Sequence, residues 1–201
     1  LLNKNVVNDT KKRNQFTGII SQETQRLNTQ VEKVLEVSSL DKDRLSLELE
    51  RRDVHEIIEE AIRTMKLNIK QAEAEINIKL NAENHVFYVD KEHMLNVFKN
   101  LIDNSIKYSG DKRPEIEIRT YNKNNWLYIT VKDNGIGMDS TTVSKVFDKF
   151  YRATSGNIHN VKGFGLGLHY VKEIITAHKG LIDLKSTPGK GSTFIIKLIK
   201  K

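Results

Sequence analysis

Three short stretches hold residues whose types and spacing suit work on a phosphorylated ligand. In Asn100-Leu-Ile-Asp-Asn104-Ser-Ile-Lys107-Tyr108 the asparagines are four residues apart and Lys107 follows three later. On a helix all three share one face. Neutral amide oxygens beside an ammonium suit a hydrated Mg²⁺ and its triphosphate: Mg²⁺ takes oxygen ligands and keeps several waters, and lysine neutralises phosphate as a point charge. The plainer reading is a solvated polar helix face. Asp133-Asn-Gly135-Ile-Gly137-Met138 follows a strand-like run and has backbone freedom at two glycines. A carboxylate held there can accept a hydrogen bond from an exocyclic amine such as adenine N6. The plainer reading is a strand-end turn, since Asp-Asn-Gly is common turn chemistry.

The third stretch, Gly163-Phe-Gly165-Leu166-Gly167-Leu168, opens a helical pattern. Glycines there let backbone amides approach phosphate at a helix N-terminus; the plainer reading is a flexible loop. It is not the dinucleotide fingerprint, because the third glycine comes one residue early and no strand precedes it. A P-loop is also absent: Gly189-Lys190 is followed by Gly191 rather than Ser or Thr. Phe147-Asp-Lys-Phe150-Tyr-Arg152 lies between the second and third stretches. Its aromatics suit packing, and Arg152 is either surface charge or a guanidinium that reaches phosphate.

The pattern around these motifs says what must position them. Only two prolines occur, and nine of the eleven glycines fall after position 130, so the first half is built from regular elements and the second carries the loops. Phe16, Ile20, Leu27, Val31, Val34 and Leu35 recur at helical spacing. They predict one amphipathic helix from Arg13 to Ser39 with a narrow, near-heptad stripe, as in a helical hairpin or dimer seam. Leu45, Leu47 and Leu49 alternate as a short strand or connector. His55–Ala72 reads as a second amphipathic helix. Strands are expected at Ile76–Leu80 and Val86–Val89. Asp90 then caps a helix to Tyr108. A hairpin follows, Glu115–Tyr121 and Trp126–Lys132, and after a helix to His178 come closing strands at Leu181–Ser186 and Thr193–Ile199. Strands in a run with helices on one side indicate α+β, not alternating βαβ.

Composition narrows the function classes. A chain of 201 residues can bury a core without staples, and with no cysteine there is no disulfide scaffold, thiol nucleophile or cysteine metal site. Residues 1–50 balance eight Lys/Arg against eight Asp/Glu, so the whole +7 surplus lies in residues 51–201. That surplus suits phosphate-bearing ligands. No basic cluster alternates with aromatics, so no nucleic-acid partner is expected. The chain opens Leu-Leu-Asn-Lys without Met, which reads as a fragment of a longer protein.

Taken together and in order, the motifs resemble those of the ATP-binding domain of sensor histidine kinases. That domain has the Bergerat fold shared with chaperone, gyrase and mismatch-repair ATPases. Asn100–Tyr108 looks like the N box, Asp133–Met138 the first glycine box and Phe147–Arg152 the F box. Gly163–Leu168 looks like the second glycine box and Gly189–Thr193 the third. Residues 13–50 resemble the second helix of the dimerisation hairpin. The resemblance implies a Bergerat-type α/β sandwich, with a mixed, mainly antiparallel sheet and helices on one face. It divides the chain into a hairpin remnant with connector (1–50) and a catalytic ATP-binding domain (51–201).

Carried over residue by residue, the resemblance assigns Asn104 and Asn100 to Mg²⁺ and the phosphates of ATP, Lys107 to phosphate, and Tyr108 to the base or ribose. Asp133 would read adenine N6 in a loop turned by Gly135 and Gly137, and Thr193 would sit beside it. Met138 to Gly163 would form a mobile lid. Gly163, Gly165 and Gly167, with Leu166 and Leu168, would permit its closure, and Arg152 and Lys162 would meet the phosphate tail. The family's acceptor histidine sits on the first hairpin helix. None of the six histidines here, at 55, 85, 93, 159, 169 and 178, has that setting. The expectation is therefore ATP binding without self-phosphorylation. Hydrolases of the fold place a glutamate where this chain has Asn100, and an amide cannot act as general base. A response-regulator receiver domain and a homodimer through the hairpin are the implied partners. The implied location is a cytoplasmic domain of a parent anchored in the inner membrane.

Overall fold

A computed structural model describes residues 12–21, 23–24, 46–152 and 164–200. The chain forms two compact units, residues 1–45 and 46–201. In the first, residues 12–21 and 23–24 are helical, beginning one residue before the expected helix, and Phe16, Ile19 and Ile20 on it are exposed. Residues 25–45, including the rest of that helix and the break expected after it, lie outside the described residues.

The second unit opens with strand β1 (Glu50–Asp53), later than the alternating leucines suggested: Leu47 and Leu49 are in no strand. Asp53 caps helix α1 (Val54–Thr64) by accepting from the His55 N–H at 2.8 Å. The single helix expected to Ala72 is broken at Met65 (φ −91°, ψ 6°), and α2 (Lys66–Gln71) continues beyond it. The Thr64 hydroxyl donates to the Glu60 carbonyl at 2.8 Å, a local bond that competes with regular helix geometry. Strands β2 (Glu75–Leu80) and β3 (Val86–Val89) follow. Helix α3 (Lys91–Lys107) then starts on Asp90, which accepts from the His93 N–H as expected. The hairpin strands are β4 (Glu115–Lys123) and β5 (Trp126–Asp133). A short helix α4 (Ser140–Lys145), capped by Asp139, was not expected; α5 (Gly167–Ala177), β6 (Leu181–Thr187) and β7 (Gly191–Ile199) complete the unit.

The main sheet has the order β2-β4-β5-β7-β6; β2 is parallel to β4 and the other pairs are antiparallel. β1 and β3 form a separate ribbon. One sheet face is covered, as the period-2 burial shows: Ile116, Ile118, Leu127, Ile129, Val131, Phe194, Ile196 and Leu198 are all buried. Phe98, Leu101 and Ile102 of α3 and Val171, Ile174 and Ile175 of α5 complete the core, and each such side chain stabilises the fold by roughly 1.5–3 kcal/mol. On the other face Tyr121 stacks on Tyr128, with ring centroids 5.0 Å apart. This is the mixed, mainly antiparallel α/β sandwich expected. His178 locks α5 to the start of α3. Its Nε2 accepts from the Asp90 N–H at 2.9 Å and its Nδ1–H donates to the Ile174 carbonyl at 2.8 Å. Burial holds this imidazole below its ordinary pKa.

Candidate functional site

Helix α3 buries its apolar stripe and leaves Asn96, Asn100, Asp103 and Asn104 half-exposed along one side, with Lys107 exposed at the end. The Asn100 amide is already oriented: its Nδ2 donates to the Asn96 carbonyl at 2.9 Å. Its Oδ1 faces the first residue of α5, where a Cβ on Gly167 would come within 2.8 Å. The first and third motifs are thus in direct contact, and Gly167 is the residue that lets them meet. The Asn104 side chain has no hydrogen-bond partner among the described residues, so its oxygen, like Asn100 Oδ1, is open to a cation. Lys107 pairs with Asp103 one turn back instead of standing alone. Asp103 was missed, although the i, i+4 spacing predicts the pair.

The second motif docks on the end of the same helix. Tyr108, half-buried at the C-cap of α3, uses its carbonyl to accept from the Ile136 N–H at 2.9 Å. A Cβ on Gly135 would come within 2.4 Å of that same oxygen. Gly137 has φ +66°, and a Cβ there would meet the Thr187 carbonyl oxygen at 1.9 Å. The turn therefore requires glycine on conformational and steric grounds alike. Asn134 ties the loop to its flank, bonding the Arg113 carbonyl and the Glu115 N–H at 3.0 Å each.

Asp133, at the end of β5, is only 8% exposed. Among the described residues both hydrogen bonds to its carboxylate end on Oδ1, from the Gly135 N–H (2.9 Å) and the Ser192 N–H (3.0 Å). Oδ2 remains to accept from a ligand. Burial pushes this carboxyl above its ordinary range, and the two N–H donors pull it part of the way back. Such a group can accept a hydrogen bond from a base amine with almost no reorganisation.

Thr193 does not sit beside Asp133. It pairs with Lys132 and Lys185 on the open face of the sheet, whereas Asp133 lies on the covered face. The neighbour of Asp133 is Ser192, which is buried. Phe194, Ile196 and Leu198 point inward, so alternation alone places Ser192 inward and Thr193 outward.

Phe147 packs edge-on to Phe194 (6.5 Å between centroids) and its carbonyl lies 3.1 Å from His169 Nδ1. The sixth residue of that motif, Arg152, is exposed. Gly165 (φ +70°) lies against Tyr151, whose carbonyl oxygen a Cβ would meet at 2.4 Å, so residues 151 and 165 are adjacent in space. Leu166 is buried and Leu168 half-buried at the start of α5. Lys162 and Gly163 lie outside the described residues, as does the second part of the expected lid, residues 153–163.

The cradle thus has α3 as its floor, the Asp133–Met138 loop at one end and the start of α5 on one side. Among the described residues Leu166 provides no side-chain cap and the first turn of α5 holds no acidic residue, so its positive dipole end suits an anion. A polar helix floor with a buried carboxylate at one end and a glycine-opened helix start beside it defines an α/β sandwich with a cradle suited to a base-bearing anion.

The family profile described as "Histidine kinase-, DNA gyrase B-, and HSP90-like ATPase" matches residues 89–201, and the chain belongs to that family. Among curated relatives it is 45% identical to the Sensor protein RprX of Bacteroides fragilis over 187 residues, 91% of this chain and 36% of that protein. The chain therefore spans about a third of that relative. Two solved structures share the fold. Full-length ShkA in complex with AMPPNP has a TM-score of 0.79 at 18% identity, covering 94% of this chain and 39% of its own. Histidine kinase ThkA in complex with the response regulator TrrA has a TM-score of 0.73 at 24% identity, covering 96% and 53%.

Proposed function

We propose that this chain is the ATP-binding part of a two-component sensor histidine kinase. It binds Mg²⁺-ATP and presents the γ-phosphoryl group to a histidine supplied from outside the cradle. The observation that carries this reading is Asp133: a buried carboxylate fixed by two backbone donors, with one oxygen uncommitted, at the end of a strand beside the α3 amides. Asp133 selects the base. Asn104, with the Oδ1 of Asn100, offers hard neutral oxygens that suit Mg²⁺, whose charge the phosphates balance. Held by these oxygens, Mg²⁺ would supply neutralisation of the phosphate charge. Lys107, Arg152 and Lys162 supply positive charge around the phosphate tail, and the α5 N-terminus adds its dipole.

This arrangement favours transfer over hydrolysis. Asn100 bonds the Asn96 carbonyl through its Nδ2 and has no carboxylate with which to take a proton from water. Phosphoryl transfer to imidazole asks this domain mainly for positioning and charge neutralisation. His178 uses both ring nitrogens, on the Asp90 N–H and the Ile174 carbonyl, so it has none left to take phosphate, and His93 is tied to Tyr170 through Nδ1. In the whole protein the histidine would come from a dimerisation hairpin and the phosphate would pass to a response-regulator receiver domain; the solved complex of ThkA with the response regulator TrrA supports that class of partner. No helix among the described residues is long and apolar enough to cross a membrane; membrane anchoring of the parent is part of the proposal.

Calorimetric titration with ADP and a non-hydrolysable ATP analogue, with and without Mg²⁺, tests the reading. Micromolar binding, roughly −8 kcal/mol, that requires Asp133 supports it, and absence of binding by a folded chain rejects it. Incubation with radiolabelled ATP should leave no acid-labile, base-stable label on the chain.

A further inference from the structure

Away from the cradle, Asp53, His55 and His85 converge where β1 runs into α1. Among the described residues they are the one group of three or more His, Cys, Asp or Glu side chains with a ligating atom from each within 4.8 Å of the others. Asp53 Oδ1 holds His85 Nδ1 at 2.8 Å and also accepts the His55 N–H at 2.8 Å. The imidazoles of His55 and His85 stack, with centroids 4.3 Å apart and planes 10° from parallel. His55 Nε2 lies 2.8 Å from the hydroxyl of Thr120, a buried residue of β4 that also accepts from the Ala82 N–H at 3.3 Å. Asp53 and His85 keep 26% and 32% of their side-chain surface exposed, so the cluster is open to solvent on one side.

We propose that Asp53, His55 and His85 form a binding site for a divalent transition ion of the zinc type. The donor set is two imidazoles and one carboxylate, which suits zinc and its neighbours and leaves a fourth position for water. Outer-shell support is already built. Thr120 fixes the His55 ring from the sheet by bonding its Nε2, which leaves Nδ1 to face an ion. The Val54 N–H donates to the His85 carbonyl at 2.9 Å, which holds the two histidine-bearing segments together. Ligating atoms around a tetrahedral zinc lie about 3.4 Å apart, given bonds of about 2.0–2.1 Å. The present spread therefore needs a contraction on the order of 1 Å. Parallel rings do not converge on one point, so His85, whose ring is not held by the sheet as that of His55 is by Thr120, turns about its side-chain torsions when metal enters. The ion then joins the loop before β3, the cap of α1 and, through Thr120, β4. Binding N but not U, it raises the stability of the unit that carries α3.

The experiment is calorimetric titration of Zn²⁺ into the full chain in a non-chelating buffer, with thermal melts in parallel. One ion per chain with micromolar or tighter affinity is expected, together with a higher melting temperature. His85→Ala should weaken binding at least tenfold and abolish the thermal shift. Asp53→Asn keeps a competent helix cap, so it remains folded and should weaken binding to a similar extent. Saturable zinc binding that is unchanged in both variants would place the ion on the other histidines and overturn the assignment. So would a wild-type chain that takes up no Zn²⁺ at about 100 μM, where a micromolar site would be nearly full.

Discussion

The two ends of the cradle are built on opposite principles. At the Asp133 end the groups are buried, their partners are backbone N–H donors, and the turn is fixed by glycines that tolerate no side chain. At the Asn104 end the groups are half-exposed amides on a helix surface, and the Lys107 ammonium near them is paired with Asp103. The first end is finished before a ligand arrives. The second has one uncommitted amide and needs the cation and phosphates to complete it. In the proposed function, base recognition therefore comes from preorganisation, and phosphate recognition from charge assembled on binding.

The largest effect should come from breaking the finished end at its turn. Gly137→Ala places a Cβ 1.9 Å from the Thr187 carbonyl oxygen at a φ of +66°, so strain and overlap combine. We expect a loss of about 3 kcal/mol or more, read as a lower urea midpoint. A variant as stable as the parent would mean that the turn is loose and the end is not preorganised.

Asp133→Asn separates stability from binding. The amide oxygen can still accept from Gly135 and Ser192, but it carries no charge for a base amine, and nucleotide affinity should fall roughly 100-fold. Stability should move the other way. Burial raises the carboxyl above its ordinary 3.8, so the folded state holds its proton longer than the unfolded state does. Between 3.8 and the raised value the wild type loses stability as pH rises. Asp133→Asn is free of that cost, so it should melt above the wild type at pH 7, with the gap closing in acid. A lower melting temperature at pH 7 would show that the charge is fully compensated.

At the other end Asn104→Ala should matter only when the cation is present. With Mg²⁺, affinity for the ATP analogue should drop about tenfold, or about 1.4 kcal/mol, and without Mg²⁺ it should hardly change. Equal losses under both conditions would make Asn104 a plain hydrogen-bonding contact and not a metal ligand.

The same contrast explains what could be read from the sequence. Elements with strong periodicity and a cap, such as α3 on Asp90 and the β4–β5 hairpin, fall within a residue or two of expectation, because local chemistry and packing agree. The break at Met65 escaped, because Thr64 carries a hydroxyl whose bond to a carbonyl leaves no periodic trace. At the candidate site, type and spacing alone left Asp133 open to a plain turn role and the α3 asparagines to a solvated helix face, and the resemblance of the ordered motifs singled them out. Ser192 was missed in favour of Thr193, although counting inward positions back from Phe194 selects it. Thr193→Ala should accordingly leave nucleotide affinity within about twofold. The Gly167 contact with Asn100 joins residues far apart in sequence and depends on how α5 packs beside α3, which no local pattern records.

The smallest effect, and the sharpest test of assembled charge, lies at Lys107. Its partner Asp103 is one turn back and both side chains are partly exposed, so the pair is worth little to stability, on the order of 0.5 kcal/mol. Near phosphates the two charges oppose each other. Lys107→Ala removes the cation and leaves Asp103 to repel the ligand, so affinity should fall about threefold at low salt, or ~0.65 kcal/mol. Asp103→Asn should raise affinity by a similar factor, and the double variant should return close to wild type. Raising the salt should shrink all three differences, because exposed charges are screened beyond a Debye length of about 8 Å at physiological ionic strength. If Lys107 instead leaves Asp103 and makes a direct, desolvated contact with phosphate, its loss will cost far more than threefold. Restoring neutrality at Asp103 will then not recover affinity, so the double-variant cycle distinguishes a charge in the field from a ligand contact.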